Sequence, residues 1–459
     1  MTIKKIFGNF KFFNLQSRYL VPVLFFLTCV IFSTTQKLYK THFRWDAAGY
    51  YSYLPAFFIY DDLSFKFTAK ASGHDRSEFV QKGSGINTYS IGPAILQTPF
   101  FGLGFLLSKV KNQKVDGYNS KFKWCLALGA IFYCSLGLLF LSFLLREHFT
   151  AAVTNITLIG LGLGTNLFYY VMVDYLYSHG YSFFLFSLSL WLGVKWGRTQ
   201  SRKYLIALSL IFGLIVSVRV TNALFLMVPI FWMCKSGNDY ISKIKELFSH
   251  WKYFPVLILL FLLPLVPQLL YLHEHLGYVG NPYVNEPFFW SDPLMLKVLF
   301  SYRVGWILWS PLILLGFIGW VLARKKEGFS IVFIYTLVNL YLISSWWCWW
   351  YGGGFGMRAL VEASVPMSFG IAYCIQKVRS LGFKFSYLIV FLLIFLNIFQ
   401  SEQYRDGVIH YDAMTFKSYW TVFGKRAPLS PEIREKRDSE LHKTDAKKTK
   451  TDRQYRREL

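Results

Sequence analysis

The sequence predicts an all-α polytopic membrane protein of about 11 transmembrane helices, within a range of roughly 10–13, with juxtamembrane helices in the first outer loop. Three observations carry this. Of 459 residues, 54% are hydrophobic and 16% charged, where a soluble chain carries about 25% charge. Apolar stretches of about 17–22 residues recur from end to end, and about 20 helical residues cross a bilayer core. The basic residues gather in the short loops between these stretches, as the positive-inside bias requires.

The segment 1–18 carries Lys4, Lys5, Lys11 and Arg18 ahead of the first apolar stretch, 19–36. No small-residue cleavage site follows, so this stretch is expected to be an uncleaved anchor with a cytoplasmic segment before it. Further spans are expected at 122–145, 151–171, 180–196, 203–218, 220–234, 254–272, 304–323, 328–346, 358–375 and 384–400. One transmembrane domain then covers 19–400, with its first outer loop at 37–121. Within that loop, 89–109 holds Pro93, Gln97 and Pro99 and only a short apolar run. Taken as a helix lying at or dipping into the surface, it leaves the basic loops 195–203, 235–252, 324–326 and 377–384 on one cytoplasmic side. Lys109, Lys111, Lys114 and Lys121 then lie outside. After residue 400 the chain turns polar and dense in charge, so 401–459 is expected to be a tail with a short ordered stretch and a disordered end.

A net charge of +24 here belongs to loops facing membrane lipid, and nucleic acid is not an expected partner. The six cysteines form no CxxC pair and sit mostly in apolar stretches, as small buried hydrophobes do.

The unusual polar residues fall on the non-cytoplasmic side of this topology. Asp46 follows the first span in the run Arg44-Trp45-Asp46-Ala47-Ala48-Gly49-Tyr50-Tyr51, with Tyr53 close behind. A carboxylate at the edge of a low-dielectric region suits general-base work; helix capping is the plainer use. Asp174 and His179, near Tyr177 and Ser178, lie between two spans, where they suit a phosphate or a divalent metal, or simply cap a helix. Arg219, followed by Thr221 and Asn222, sits between apolar spans. An arginine at that depth needs a partner, and its planar fork matches a phosphate. The loop 273–303, with His273, Glu274, His275, Asn281, Asn285, Glu286, Asp292 and Arg303, has the pattern of solvated surface. Its two histidines are two apart and do not share a helix face. Finally, Trp346-Trp347-Cys348-Trp349-Trp350-Tyr351 runs into Gly352-Gly353-Gly354 and on to Arg358, with Glu362 one turn later as an ion partner. Glycines let backbone approach a ligand, and sugars stack on aromatic faces.

In order, RWDAAGYYSYLPA (44–56), YSHGYSF (177–183), RVTN (219–222) and WWYGGGFGMR (349–358) resemble the C-type membrane glycosyltransferases. Within them they are similar to the bacterial dolichyl-phosphate-mannose–protein mannosyltransferase-like and aminoarabinose-transferase-like group. The resemblance covers about 40–400. It implies a hexosyl- or pentosyltransferase of the bacterial inner membrane, with a polyprenyl-phosphate sugar as donor, a periplasmic active site and an unidentified acceptor. It also implies surface helices in the first outer loop. Asp46 matches the family's outer-loop acid, although Ala47 stands where many members have a second acid.

The expected reaction is inverting transfer. Asp46 takes the acceptor's proton, Arg219 and Arg358 hold the donor phosphate with His179 in support, and Arg44, Tyr50, Tyr53, Asp174, Asn222, Tyr351, Gly353 and Glu362 line the substrates. The pattern names no certain cofactor; a divalent metal at Asp174 and His179 is compatible with it. The alternative from another class is a secondary transporter or lipid flippase, which needs polar groups near mid-membrane and an internal repeat, and the sequence contains no such repeat.

Overall fold

The computed structural model describes residues 16–40, 43–81, 85–276, 286–382 and 386–459. Lys4, Lys5, Lys11, Asn281, Asn285 and Lys384 lie outside them, as does most of the segment 1–18. Among the described residues the protein is helical, with extended pairing confined to isolated bridges between Val80 and Asn87 and between Phe288 and Trp346. Ser120–Leu145, Trp251–His275 and Tyr387–Arg405 are long and apolar enough to cross a membrane. The first has 26 residues and so measures about 39 Å, more than the ~30 Å hydrocarbon core. This is a helical membrane protein. Leu20–Thr35, Ala151–Leu163, Val220–Phe231, Leu312–Leu322 and Phe329–Ser345 are apolar but shorter.

Several expected spans are interrupted. The stretch 151–171 divides after Leu163 and resumes at Leu167, and 304–323 divides at Ser310-Pro311. A proline cannot donate to the preceding turn, so a helix ends there. Inside a bilayer the freed backbone groups need protein partners. Asn397 Nδ2 donates to the carbonyls of Leu163 and Thr165, both at 2.9 Å, and the Asn166 N–H donates to Ser310 Oγ at 2.9 Å.

The chain forms two compact units. The first comprises Met1–Ala151, Tyr170–Val284 and Lys326–Ile331. Here Leu20–Thr35 runs antiparallel to Ser120–Leu145: Ser142 Oγ donates to Arg18 O at 2.8 Å, and Trp124 Nε1 to Thr34 Oγ1 at 3.2 Å. The helix expected at 89–109, lying at or dipping into the surface, is Gly92–Val110. It follows Ser120–Leu145 antiparallel, with Asn119 Nδ2 on Ser108 Oγ at 2.9 Å and Tyr133 OH on Leu96 O at 3.0 Å. Asn119 to Tyr133 is about 21 Å of helix, so the two helices run alongside each other over that length. The reason is local: Gly104 and Gly129 leave room for Phe122 and Phe100, which lets the two helices mesh.

The second unit comprises Ala152–Tyr169, Asn285–Lys325 and Val332–Leu459. Its tightest contact joins Leu312–Leu322 to Ser364–Ser380, where small residues let two backbones meet. A Cβ on Gly319 would stand 1.7 Å from Gly370 O.

The polar tail, expected to end in disorder, instead forms the short helices Phe416–Val422, Pro431–Ser439, Ala446–Thr451 and Arg453–Glu458. Most of its charges are exposed, but Arg437 and Arg456 are buried, and the loop from Glu286 to Arg303 offers Arg456 its partners. Arg456 has a fully buried side chain. It donates to Asp292 O at 2.7 Å, Trp346 O at 3.1 Å and Ser344 O, and lies 4.8 Å from the Phe289 ring. Arg457 pairs with Asp292 at 2.8 Å, and this hydrogen bonding holds the Asp292 carboxyl below its ordinary range. Burial pushes His442 down to about 4, with the charges of Arg303 and Lys297 adding to it.

Two substitutions test this packing. Gly319→Leu is expected to destabilise the protein by about 2 kcal/mol or more through overpacking, seen as a lower melting temperature in detergent. Arg456→Ala removes a charged donor worth about 1.5–3 kcal/mol per hydrogen bond. It should make 440–459 trypsin-sensitive under conditions where the wild-type segment resists cleavage.

Candidate functional site

The first unit brings two sequence-distant clusters onto one short strip, Asn87–Gly92, and a third, at His179, is joined to them through Arg219. Asp46 lies in the first turn of the helix Trp45–Tyr51 and is half-buried. Its Oδ1 accepts from Tyr89 OH at 2.9 Å. Tyr53 OH donates to Tyr89 O at 2.8 Å, Tyr50 meets the Tyr89 ring edge-on at 5.2 Å, and Asn87 Nδ2 donates to Gly49 O at 2.8 Å. Tyr50 and Tyr53 were expected to line a substrate. Both are buried, and they hold Tyr89 against Asp46. Gly49 is required for this: a Cβ there would stand 2.1 Å from Tyr89 Cδ2. Arg44 is exposed at the start of the same helix. Trp45 adopts a left-handed backbone at φ 51°, a conformation costing a bulky residue roughly 1–3 kcal/mol. Its N–H is held by Glu78 Oε2 at 3.2 Å.

The same strip touches the end of the helix Arg202–Val218. Ser90 Oγ donates to Val218 O at 2.6 Å, and Gly92 packs against the Ser217–Val218 peptide. Arg219, half-buried, is the next residue, and its Nη1 lies 3.2 Å from His179 Nδ1. A guanidinium only donates, so this contact makes Nδ1 an acceptor and puts the imidazole proton on Nε2. His179 is 2% exposed in the first turn of the helix Ser178–Thr199, edge-on to Tyr170 at 4.9 Å and stacked on Tyr177 at 6.3 Å. Asn222 Nδ2 donates to Ser182 Oγ at 3.0 Å, one turn further along. Arg219 and Asn222 thus clamp one helix start from a single extended-to-3₁₀ turn. Asp174 is half-buried in the turn before that helix, where its carbonyl accepts from Tyr177 N–H at 3.0 Å. Among the described residues, no three or more His, Cys, Asp and Glu side chains gather as a metal site.

The depth of this cluster follows from its helices. Arg198 bonds Glu147 at 2.5 Å, so Ser178–Thr199 and Ser120–Leu145 end together at their basic side. His179 to Arg198 is about 28 Å of helix. Tyr181 meets Tyr133 at 5.7 Å, and Tyr133 lies about 20 Å along the long helix from Arg146. The cluster therefore sits roughly 20–28 Å from the basic helix ends.

Tyr351, Gly353, Arg358 and Glu362 belong to the second unit. Arg358 Nη2 donates back to Tyr351 O in its own loop. The space at Gly353 is used by the protein itself: a Cβ there would stand 2.8 Å from Tyr411 Cδ2, and the adjacent Gly354 N–H donates to Tyr411 O at 3.1 Å. Glu362 is 1% exposed, beyond the 3₁₀ turn Arg358–Leu360. Arg303, expected to be ordinary surface, is buried under Trp350 at 3.7 Å and paired with Asp412 at 3.0 Å. Burial lowers its proton affinity. The Trp346 and Trp347 indoles both donate to Glu286, which also holds Lys450 at 2.9 Å.

Sequence reasoning missed Tyr89, Asn87, Ser90, Ser182 and Glu78. A tyrosine opening an ambiguous apolar run has no pattern to distinguish it from a boundary anchor. No model of a known protein family matches the chain, and no curated protein matches it.

Gly49→Val should displace the Tyr89 ring and lower the melting temperature by several degrees, whereas Gly102→Ala, with open space around it, should leave it unchanged. Equal melting of the two variants would show that Tyr89 does not seat on Gly49.

Proposed function

We propose that the protein is an inverting glycosyltransferase that moves a sugar from a polyprenyl-phosphate donor to an acceptor hydroxyl at the periplasmic face of a bacterial inner membrane. In this reading the shorter and interrupted helices also cross, giving about 11 passes with the basic loops cytoplasmic. The observation that carries it is the convergence of Asp46, through Tyr89 and Ser90, on the turn that holds Arg219 against His179. A carboxylate and a guanidinium near one strip fit a reaction that removes a proton and releases a phosphate. A depth of roughly 20–28 Å in a ~30 Å core lies in its outer part, suiting a donor whose lipid tail stays in the bilayer.

The Asp46 carboxylate accepts the proton of the acceptor hydroxyl as that oxygen bonds to the anomeric carbon. The bond from that carbon to the phosphate oxygen breaks, and its electron pair leaves on the polyprenyl phosphate. Tyr89 OH orients the carboxylate. Arg219 stabilises the departing phosphate by charge-assisted hydrogen bonds, and His179 orients the guanidinium. Asn222 holds the turn that presents Arg219. The leaving group is already a stabilised anion, so little general-acid help is needed. Arg358 is turned onto its own loop's carbonyl, and the phosphate role is therefore assigned to Arg219.

The test is transfer from radiolabelled polyprenyl-phosphate sugars in membranes. Asp46→Asn should lower the rate by about 100- to 10,000-fold through loss of the base. Arg219→Met should lower it by about 100- to 1,000-fold. Undiminished transfer by Asp46→Asn would eliminate the general-base role. No transfer by the wild type across a panel of lipid-linked sugars would eliminate the glycosyltransferase reading and favour a transporter.

A further inference from the structure

The helix Gly237–Ser249 in the first unit is amphipathic in the reverse of the usual sense. It opens with a capping box, Ser236 with Asp239, so its start is well defined. A surface helix in water turns its apolar stripe to the core and its charges outward. Here Lys243 is the buried residue: its ammonium bonds Glu246 Oε2 at 2.7 Å and lies 4.9 Å from the Trp196 ring. Tyr240 OH, on the same side, bonds Ser330 Oγ at 2.7 Å. The apolar residues point away. Ile241 is 54% exposed, Ile244 44%, Phe248 60%, and Trp251 just beyond the helix 63%.

Helical spacing sorts the surface further. Ile241, Ile244 and Phe248, at i, i+3 and i+7, share one sector, whereas exposed Ser242 and Ser249 lie on another. The helix therefore has a protein-facing side, an apolar side and a polar side. An apolar sector this exposed is stable only against a medium that is itself apolar. The chain supplies that medium: Trp251–His275, which begins where the helix ends, is long and apolar enough to cross a membrane, and Val220–Phe231 precedes it. Lys235, Lys245 and Lys252 are exposed around the apolar sector. Lysines bordering an in-plane helix favour anionic lipid, because each ammonium reaches a negatively charged headgroup.

We infer that 235–252 is an in-plane interfacial element, with Ile241, Ile244, Phe248 and Trp251 immersed in one leaflet and Lys235, Lys245 and Lys252 contacting its anionic headgroups. The partner is a bilayer leaflet rich in anionic phospholipid. The element rests on the rest of the unit through Lys243 against Trp196 and Tyr240 on Ser330, and is independent of the proposed catalytic cluster.

The test uses the full chain in nanodiscs of neutral phosphatidylcholine, with and without anionic phosphatidylglycerol. Nitroxide labels go on Ile244→Cys and, separately, Ser242→Cys; the native cysteines are buried. The label at 244 should be open to oxygen and several-fold less accessible to a water-soluble nickel complex, with the reverse at 242. Immersion at 244 should deepen with the anionic lipid, and a Lys235→Gln, Lys245→Gln, Lys252→Gln variant should lose that deepening while keeping basal immersion. Equal nickel access at 244 and 242 would overturn the proposal. Shielding of 244 from both reagents would mean a protein partner or second copy and would also overturn it. Depth indifferent to anionic lipid, or deepening that survives the triple substitution, would overturn the headgroup contact.

Discussion

In a bilayer, backbone N–H and C=O groups released by a broken helix have no water to turn to. This protein breaks several of its apolar helices, and much of its architecture answers that constraint. Asn397 takes over carbonyls freed where Ala151–Leu163 ends, and Ser310 accepts the next N–H across a second break. Outside the apolar helices, Arg456 donates to loop and helix-end carbonyls at Asp292, Ser344 and Trp346. An arginine in that position would be costly alone; three carbonyl partners and an aromatic face make it a structural donor.

The candidate site depends on the same economy of backbone groups. The strip Asn87–Gly92 carries no regular structure over most of its length, and its polar groups are taken up one by one. Asn87 reaches Gly49 O, Ser90 reaches Val218 O, and Ile91 N–H finds Gln268 at 2.7 Å. Each bond ties the strip to a different element. Asp46 and Arg219 are thereby brought near a common segment without sharing a helix. Glycine supplies the clearance at both ends, at Gly49 under the Tyr89 ring and at Gly92 against the Ser217–Val218 peptide.

Charge plays opposite roles in different parts of the molecule. Lys243 is buried while its apolar neighbours are exposed, and Arg303 and Arg456 are buried beneath aromatic rings. Charge count alone marks such residues as solvated. A mixed-charge segment orders when it meets fixed carbonyls and carboxylates, which is why the tail folds onto the loop from Glu286 to Arg303.

The helical membrane class was legible in the sequence, because apolar length and the placement of basic loops are local properties set by the solvent that the chain must match. The residues Asp46, His179 and Arg219 stood out for the same reason: a polar group beside an apolar span is costly wherever it ends up. Their companions were not legible. Tyr89 and Ser90 have no local pattern, and Ser182 is not singled out within YSHGYSF; all three join the candidate site only when distant segments pack together. The breaks in the apolar runs, the packing of Gly92–Val110 along Ser120–Leu145 and the helices of the tail were decided by tertiary structure. Each depends on a hydrogen-bond partner or a glycine clearance supplied from elsewhere in the chain, and periodicity along a single segment carries no record of it.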